Sequence, residues 1–378
     1  MTDRHVDVAI VGGGPVGLAL AAMLAARGVD ATRIAMVDAK PVERAVQDPR
    51  AIALSHGSQQ LLTQIGGWPE TATPITQIHV SRRGSFGRTL IDCTDYALPA
   101  LGYVCRYGDV VHALSAALPA AIVQFRPAGA DALREYDDHV ALQLSTGECI
   151  KADIVVQAEG GVFGEQRARQ VQRDYSQVAL IATVHATAAP PGRAFERFTD
   201  EGPLALLPQG AGYSMVWCMR PQRANELLSL DDARFLNALQ QAFGQRVGRF
   251  TQVSARHSYA LGLNAGAAST ARTVAIGNAA QTLHPVAGQG LNLGLRDAAV
   301  LAALLARDCS GASLAAFSAS RQRDRSTTVR LTDLMARAFA SSPDHSWLQR
   351  ALGLSLGAID VLPPAKRWLA DQMMFGSR

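Results

Sequence analysis

The chain has 378 residues, 48% of them hydrophobic and 18% charged, which suits a globular protein of two interlocked domains and excludes a disordered one. A net charge of +4 without any lysine-rich tract gives nucleic acid no electrostatic footing. Five cysteines (93, 105, 149, 218 and 309), an odd number with no C-x-x-C pair, argue against a disulfide framework or zinc site and for a reducing compartment. The opening residues lack the pattern of a secretory signal, and no run of 18 apolar residues occurs, so a cytoplasmic protein without a transmembrane helix is expected.

Residues 6–11 form a short β-branched run that predicts a strand. Glycines follow, then an Ala- and Leu-rich helix that Gly28 is placed to stop, then a second strand over 33–38. This β-α-β unit predicts a parallel sheet. Residues 48–66 read as a loop leading into a helix that ends at Gly66-Gly67, 139–145 as an antiparallel strand closed by the Thr146-Gly147 turn, and 153–158 as a buried strand. From 175 to 260 short strand-like runs alternate with turn signals, as an inserted antiparallel sheet would. Residues 273–277 return to a parallel strand, and beyond Gly290 the pattern is helical nearly to the end.

Gly12-Gly13-Gly14-Pro15-Val16-Gly17 fits G-x-G-x-x-G, and it stands between a predicted strand and helix with Asp38 some way downstream. Gly12 permits the tight turn, Gly14 lets backbone approach a pyrophosphate, and Gly17 lets the helix close on the strand. The helix start offers free N–H groups and a partial positive charge to phosphates. Asp38 can accept from both ribose hydroxyls and disfavours a 2′-phosphate, so NAD or FAD is expected and NADP is not.

A second glycine turn, Gly288-Gln289-Gly290-Leu291-Asn292, follows the strand end at Gly277-Asn278 and the loop holding His284-Pro285. A nicotinamide dehydrogenase has no general need of such an element. A flavin does, because its reduced ring carries negative charge that the N–H groups of 289–292 and the helix dipole would stabilise. Asn278 can reach a ribityl hydroxyl.

The run from Gly277 to Asp297 resembles the C-terminal FAD motif of the class A flavin monooxygenases, in the branch of ubiquinone-biosynthesis hydroxylases. Asp48 to Ser55 with Ile65 to Trp68, and Gly192 to Thr199 with Gly202 to Ala205, carry the same likeness, which runs from about residue 6 to about 370. The resemblance implies a Rossmann-like α/β FAD domain of para-hydroxybenzoate hydroxylase type (residues 1–75, 100–172 and 270–330). An antiparallel-sheet substrate domain (76–99 and 173–269) and a C-terminal helical region (331–378) complete it. It implies FAD as cofactor, NAD(P)H as reductant and O2 as co-substrate. One oxygen atom would pass through a flavin C4a-hydroperoxide into a polyprenyl phenol, 2-polyprenyl-6-methoxyphenol in the finest form of the expectation.

By the same resemblance Gly12, Gly14, Pro15, Gly17 and Asp38 hold the ADP half, and Arg50 and Arg106 lie near the ribityl chain or ring. Asn278 binds the ribityl chain, Gly288, Gln289, Gly290, Leu291 and Asn292 face the ring, and Pro285 sits between flavin and substrate. His284 is either a functional donor or a residue that fixes the turn. Relatives carry Asp-Gly with a following Ser and Arg where this chain has Glu159-Gly160, Phe163 and Arg167. That departure motivates a second reading: a flavin-binding but catalytically impaired carrier of polyprenyl phenol within a biosynthetic complex.

A polyprenyl substrate is mostly hydrocarbon, so contact with a membrane surface or with partner proteins of the pathway is expected. The arginines over 320–338 offer either a lipid-facing helix or an ordinary solvated one. The apolar tail from 347 to 375, with two tryptophans, suits a membrane interface or a packed helix equally. Gly353-Leu354-Ser355-Leu356-Gly357 matches a nucleophile elbow, but no histidine follows it and no strand leads into it. The nine histidines show no metal-ligand spacing, so no metal is expected.

Overall fold

The computed structural model describes residues 4–84, 88–160, 171–265, 269–282 and 288–340, with positions 367, 371, 372, 374 and 375. A seven-stranded sheet carries the first glycine turn. Arg4–Val11 lies at its centre, flanked in parallel by Ile34–Val37 and Cys149–Gln157, with Thr273–Ala275 parallel beyond the latter and Val123–Phe125 parallel beyond Ile34–Val37. Strands buried on both faces need apolar residues at every position, and Ile34–Val37 is buried throughout. The hairpin Ala130–Glu135 and Val140–Leu144 adds antiparallel to Cys149–Gln157.

The helix Pro15–Ala26 has no polar face, and its position explains why. It lies between the sheet and the helix Gln289–Leu305, and Leu18, Leu20, Met23 and Leu24 all join the main core. Residues 48–66 were expected as a loop leading into a helix, and the helix is His56–Gln64, but no loop fills the whole approach to it. Instead Ala51–Ser55 is a strand, paired antiparallel with Gly102–Arg106, which Thr73–Ile75 also joins. Its half-buried positions hid the alternation.

A nine-stranded sheet is built mainly from 171–265, and Gln77–Arg82 and Arg88–Asp92 extend it alongside Arg193–Phe198. One face packs Phe195, Leu204, Leu206, Met215 and Trp217 against two helices, Pro221–Leu228 and Asp232–Phe243. The sequence reading took the whole stretch as strands and missed both helices. The other face presents Ala194 to Ile75 and Val104 of the three-stranded sheet, so it looks toward the glycine turns.

The helix Gly311–Ala340 packs on Gln289–Leu305. Arg321 and Arg325 both reach Asp297, at 2.7 and 2.9 Å, and Arg296 reaches Asp324 at 3.0 Å. Of the arginines in this helix whose side chains are described, only Arg323 is exposed. Of the basic residues expected to face outward over 320–338, Arg321 and Arg325 are turned inward, because Asp297 and Asp324 are buried beneath them; the side chains of Arg330 and Arg337 lie outside the described residues. No helix among the described residues is long and apolar enough to cross a membrane. The tail from 341 to 366, including Trp347 and the 353–357 glycine motif, lies outside the described residues, as does Trp368.

Candidate flavin site

The first turn is built by contacts that only glycine allows. Gly12 takes φ +114°, and an added Cβ would stand 2.5 Å from the Glu159 amide nitrogen. A Cβ on Gly17 would overlap the Gly12 carbonyl oxygen, so the helix lies directly on the turn. Gly14 caps the helix with no side-chain acceptor. Pro15, at the first helical position, has no N–H to offer and instead presets the helical φ. Asp38 accepts from the Gly13 amide at 2.6 Å and the Lys40 amide at 2.7 Å, leaving each oxygen one further lone pair for a ribose hydroxyl.

Arg126 was not singled out from the sequence, yet it closes this corner. Its Nη2 lies 3.5 Å from Asp38 and donates to the Gly13 carbonyl at 3.3 Å. The side chain is 7% exposed, and Nη1 is buried without a partner. A contact across 113 residues leaves no local pattern to read.

Tyr107 is the other residue the sequence did not disclose. Its hydroxyl stands 3.1 Å from where a Gly14 Cβ would be, and Arg50 lies 5.0 Å over its ring. Burial pushes the Tyr107 phenol up from its ordinary range. Arg50 forks onto Asp48 at 2.6–3.0 Å, which raises its own pKa. Burial works to raise Asp48, but the bonds from Arg50 outweigh it and the carboxyl is lowered. Arg106 heads the same helix as Tyr107 but is exposed and pairs with Asp109 at 3.7 Å.

The second turn converges on the first. Gly288 adopts the left-handed conformation and caps Gln289–Leu305, again without a side-chain acceptor. A Cβ on Gly294 would lie 2.8 Å from Val16 and 3.0 Å from the Gly277 Cα, so the two glycine-capped helices cross in direct contact. Between them Gly160 faces Asn278 (3.4 Å from a built Cβ to the Asn278 Cβ), and Gly290 faces the Asn278 amide at 3.9 Å. Glu159 stands over the first turn, and burial, with the nearby Asp38 charge, raises its pKa.

Two expected ring contacts take other duties through their side chains. The Asn292 amide is buried and spent within the fold. It donates to the carbonyls of Ala53 and Gly288 and accepts from the Ser55 amide and the Ser58 hydroxyl, at 2.7–3.1 Å. The Leu291 side chain packs on the main core. What this helix start can offer a ligand is thus the backbone N–H groups of its first turn. His284 and Pro285 lie outside the described residues, as do Phe163 and Arg167.

An apolar cavity of about 80 Å³ opens beside Gln289 and Asn292, walled by Ala53, Ile75, Ile78, Ile91, Leu101 and Met374. Among the described residues no cluster of His, Cys, Asp and Glu is arranged to hold a metal ion.

Residues 5–332 match the FAD-binding domain family. The chain belongs to that family. It is 35% identical to the ubiquinone hydroxylase UbiL of Rhodospirillum rubrum over 97% of this chain and 88% of that protein. It is 32% identical to the 3-demethoxyubiquinol 3-hydroxylase of Escherichia coli over 79% of this chain and 78% of that one. In fold it superposes on the p-nitrophenol 4-monooxygenase of Pseudomonas putida with a TM-score of 0.77, at 18% identity, covering 99% and 100% of the two chains. The chain is therefore a class A flavin monooxygenase of the ubiquinone-hydroxylase branch, an enzyme with FAD as cofactor, NAD(P)H as reductant and O2 as co-substrate.

The described residues fit FAD. The two helix starts lack side-chain caps, among the described residues a Cβ built on Gly14 or Gly290 would meet only Tyr107 or Asn278 within 4 Å, and Arg126 keeps a buried donor unpaired at the Asp38 end.

Proposed function

We propose that this flavin monooxygenase is a ubiquinone-biosynthesis hydroxylase acting on a polyprenyl phenol, 2-polyprenyl-6-methoxyphenol in its most specific form. The observation that carries this reading is the meeting of two glycine-capped helices beside a cavity whose walls are almost wholly hydrocarbon. Such a cavity suits an aromatic ring with an alkyl substituent and offers nothing to a charged acid. The relatives named for ubiquinone hydroxylation support the same substrate class.

In this reading Gly12, Gly14, Gly17, Asp38 and Arg126 hold the ADP half, with Pro15 presetting the helix above it. Arg50, Arg106, Glu159, Gly160 and Asn278 line the middle, and the amides of Gly288, Gln289, Gly290 and Leu291 face the ring, with Asn292 fixing their turn from behind. Reduced FAD, once bound, supplies the electrons and activates O2 for transfer of one oxygen atom. The chain's own part is to present the backbone amides of a helix start to an anionic ring, keep water from the apolar cavity and align the phenol.

The test is incubation of purified enzyme with a short-chain prenylphenol, NAD(P)H and isotopically labelled O2. A product heavier by one labelled oxygen atom is expected. NAD(P)H oxidation that yields only hydrogen peroxide with every prenylphenol would overturn the substrate assignment.

A further inference from the structure

We propose that Glu196 is the group that accepts the proton of the substrate's phenolic hydroxyl. This deepens the phenol reading above and rests on it. Glu196 lies in the strand Arg193–Phe198. Phe195, one neighbour along that strand, points into the helix-covered core, and Arg197 donates to the Ala242 carbonyl of that same side. Alternation then sends Ala194 and Glu196 to the opposite face. There Ala194 packs on Ile75, Val104 and Ile78, and Ile75 and Ile78 are walls of the apolar cavity beside Gln289. Glu196 is thus one strand repeat from the cavity wall, on the face that looks toward the flavin site.

Its surroundings are unusual for a carboxylate. Val80 and Ala205 are its register partners on the two flanking strands, with Thr89 and Val216 next in line on the same face. The titratable group close to it is the Cys218 thiol, itself pushed well above its ordinary value by burial and by Glu196. Arg82 stands a repeat further along, opposite Phe198, and Arg193 turns to Gln77. Ala51, Ile75 and Val104 pack on this face, and Tyr259, in line with Cys218 through Ala179, brings a phenol near the Arg50 guanidinium. Among the described residues Glu196 has no hydrogen bond and no ion pair. Protein surrounds the carboxyl, yet the residue keeps accessible surface. Burial alone raises its pKa to about 7.

An unpaired buried carboxyl costs stability, and a structural role would have given it a partner. A phenol supplies what is missing. The phenolic O–H bond breaks, the proton passes to the Glu196 carboxylate, and the bonding pair stays with the ring. That pair raises electron density at the ring carbons ortho and para to the oxygen, where the C–O bond forms as the O–O bond of the reduced dioxygen breaks and its other oxygen leaves to be protonated. The carbon's hydrogen then leaves as a proton to water, and the proton on Glu196 returns to the ring oxygen as aromaticity is restored. O2 supplies the inserted atom, and NAD(P)H, through the flavin, supplies the electrons that take the second oxygen atom to water. A base near neutrality is far better matched to a phenol than an exposed glutamate is, and still ionised enough at pH 7–8 to act.

The test compares wild type and Glu196→Gln holoenzyme, with FAD content as the folding control. Hydroxylation of a short-chain prenylphenol by the variant at pH 7.5 is expected to fall by about 100-fold. The wild-type rate rises with pH through an inflection near 7, and the variant loses that inflection. A fluorinated, more acidic phenol narrows the gap, since it needs less help to ionise. Infrared difference spectra show a protonated carboxyl band titrating near pH 7 in the wild type and missing in the variant. A variant within threefold of wild type with the same pH profile, or a band that survives the substitution, overturns the proposal. Wild-type enzyme that hydroxylates no phenol at all would instead remove the phenol reading beneath it.

Discussion

At the scale of single residues the site is held by groups that give up stability. Glu196 is the clearest case, because its folded pKa lies above its usual value near 4.5, at about 7. The sign follows directly. A carboxyl whose pKa is raised on folding favours the fold fully below about 4.5, and that contribution is lost as pH rises through 7. Glu196→Gln should therefore be more stable than wild type at pH 8, by about 1–3 kcal/mol once residual hydration is allowed for, and no different at pH 4. Urea unfolding at the two pH values reads this out, and a variant destabilised at pH 8 would contradict it. Arg126 belongs to the same class, since its buried Nη1 lacks a partner beside Asp38. Arg126→Ala should weaken FAD binding by about tenfold, the worth of one charge-assisted bond, in a titration of apoprotein followed by flavin fluorescence. Binding unchanged within twofold would return Arg126 to a purely structural role.

The element scale shows what the sequence could and could not disclose. The glycine turns were legible because a positive φ and a helix touching a strand leave one residue type possible, as at Gly12, Gly17 and Gly294. Charged residues on a helix carry no such signature, so Arg321 and Arg325 read as solvent or lipid contacts when they in fact converge on Asp297. Gln281 also donates to Asp297, at 3.3 Å, and Arg325 reaches the Ala275 carbonyl. One buried carboxylate thus pins the last long helix to the strand and loop that deliver Asn278. Asp297→Ala leaves the Arg325 guanidinium without its counter-charge and Arg321 with Asp324 alone, and a loss of about 3–5 kcal/mol in unfolding free energy is expected. FAD affinity should fall with it, because the Asn278 loop loses its anchor. A variant with native stability would show that the arginines find other partners.

Across the whole molecule, the order of parallel strands, hairpin and inserted antiparallel sheet was readable from alternation and turn residues. The two helices over 221–243 were not, for their apolar positions also suit short strands, and only the sheet face they cover makes them helical. Arg126 and Tyr107 escaped notice for a different reason. Each meets the first glycine turn across roughly a hundred residues, and no spacing rule spans such a separation. The apolar cavity was likewise invisible, since its walls come from several strands, one helix start and Met374 near the end of the chain. What unites these pieces is the convergence of two helix starts on one dinucleotide, and titration of apoprotein with FAD tests it most directly. One FAD per chain should bind, FMN should bind far more weakly, and Asp38→Ala and Asn278→Ala, at opposite ends, should each lower affinity at least tenfold. Full affinity in either variant, or equal binding of FMN, would contradict the account.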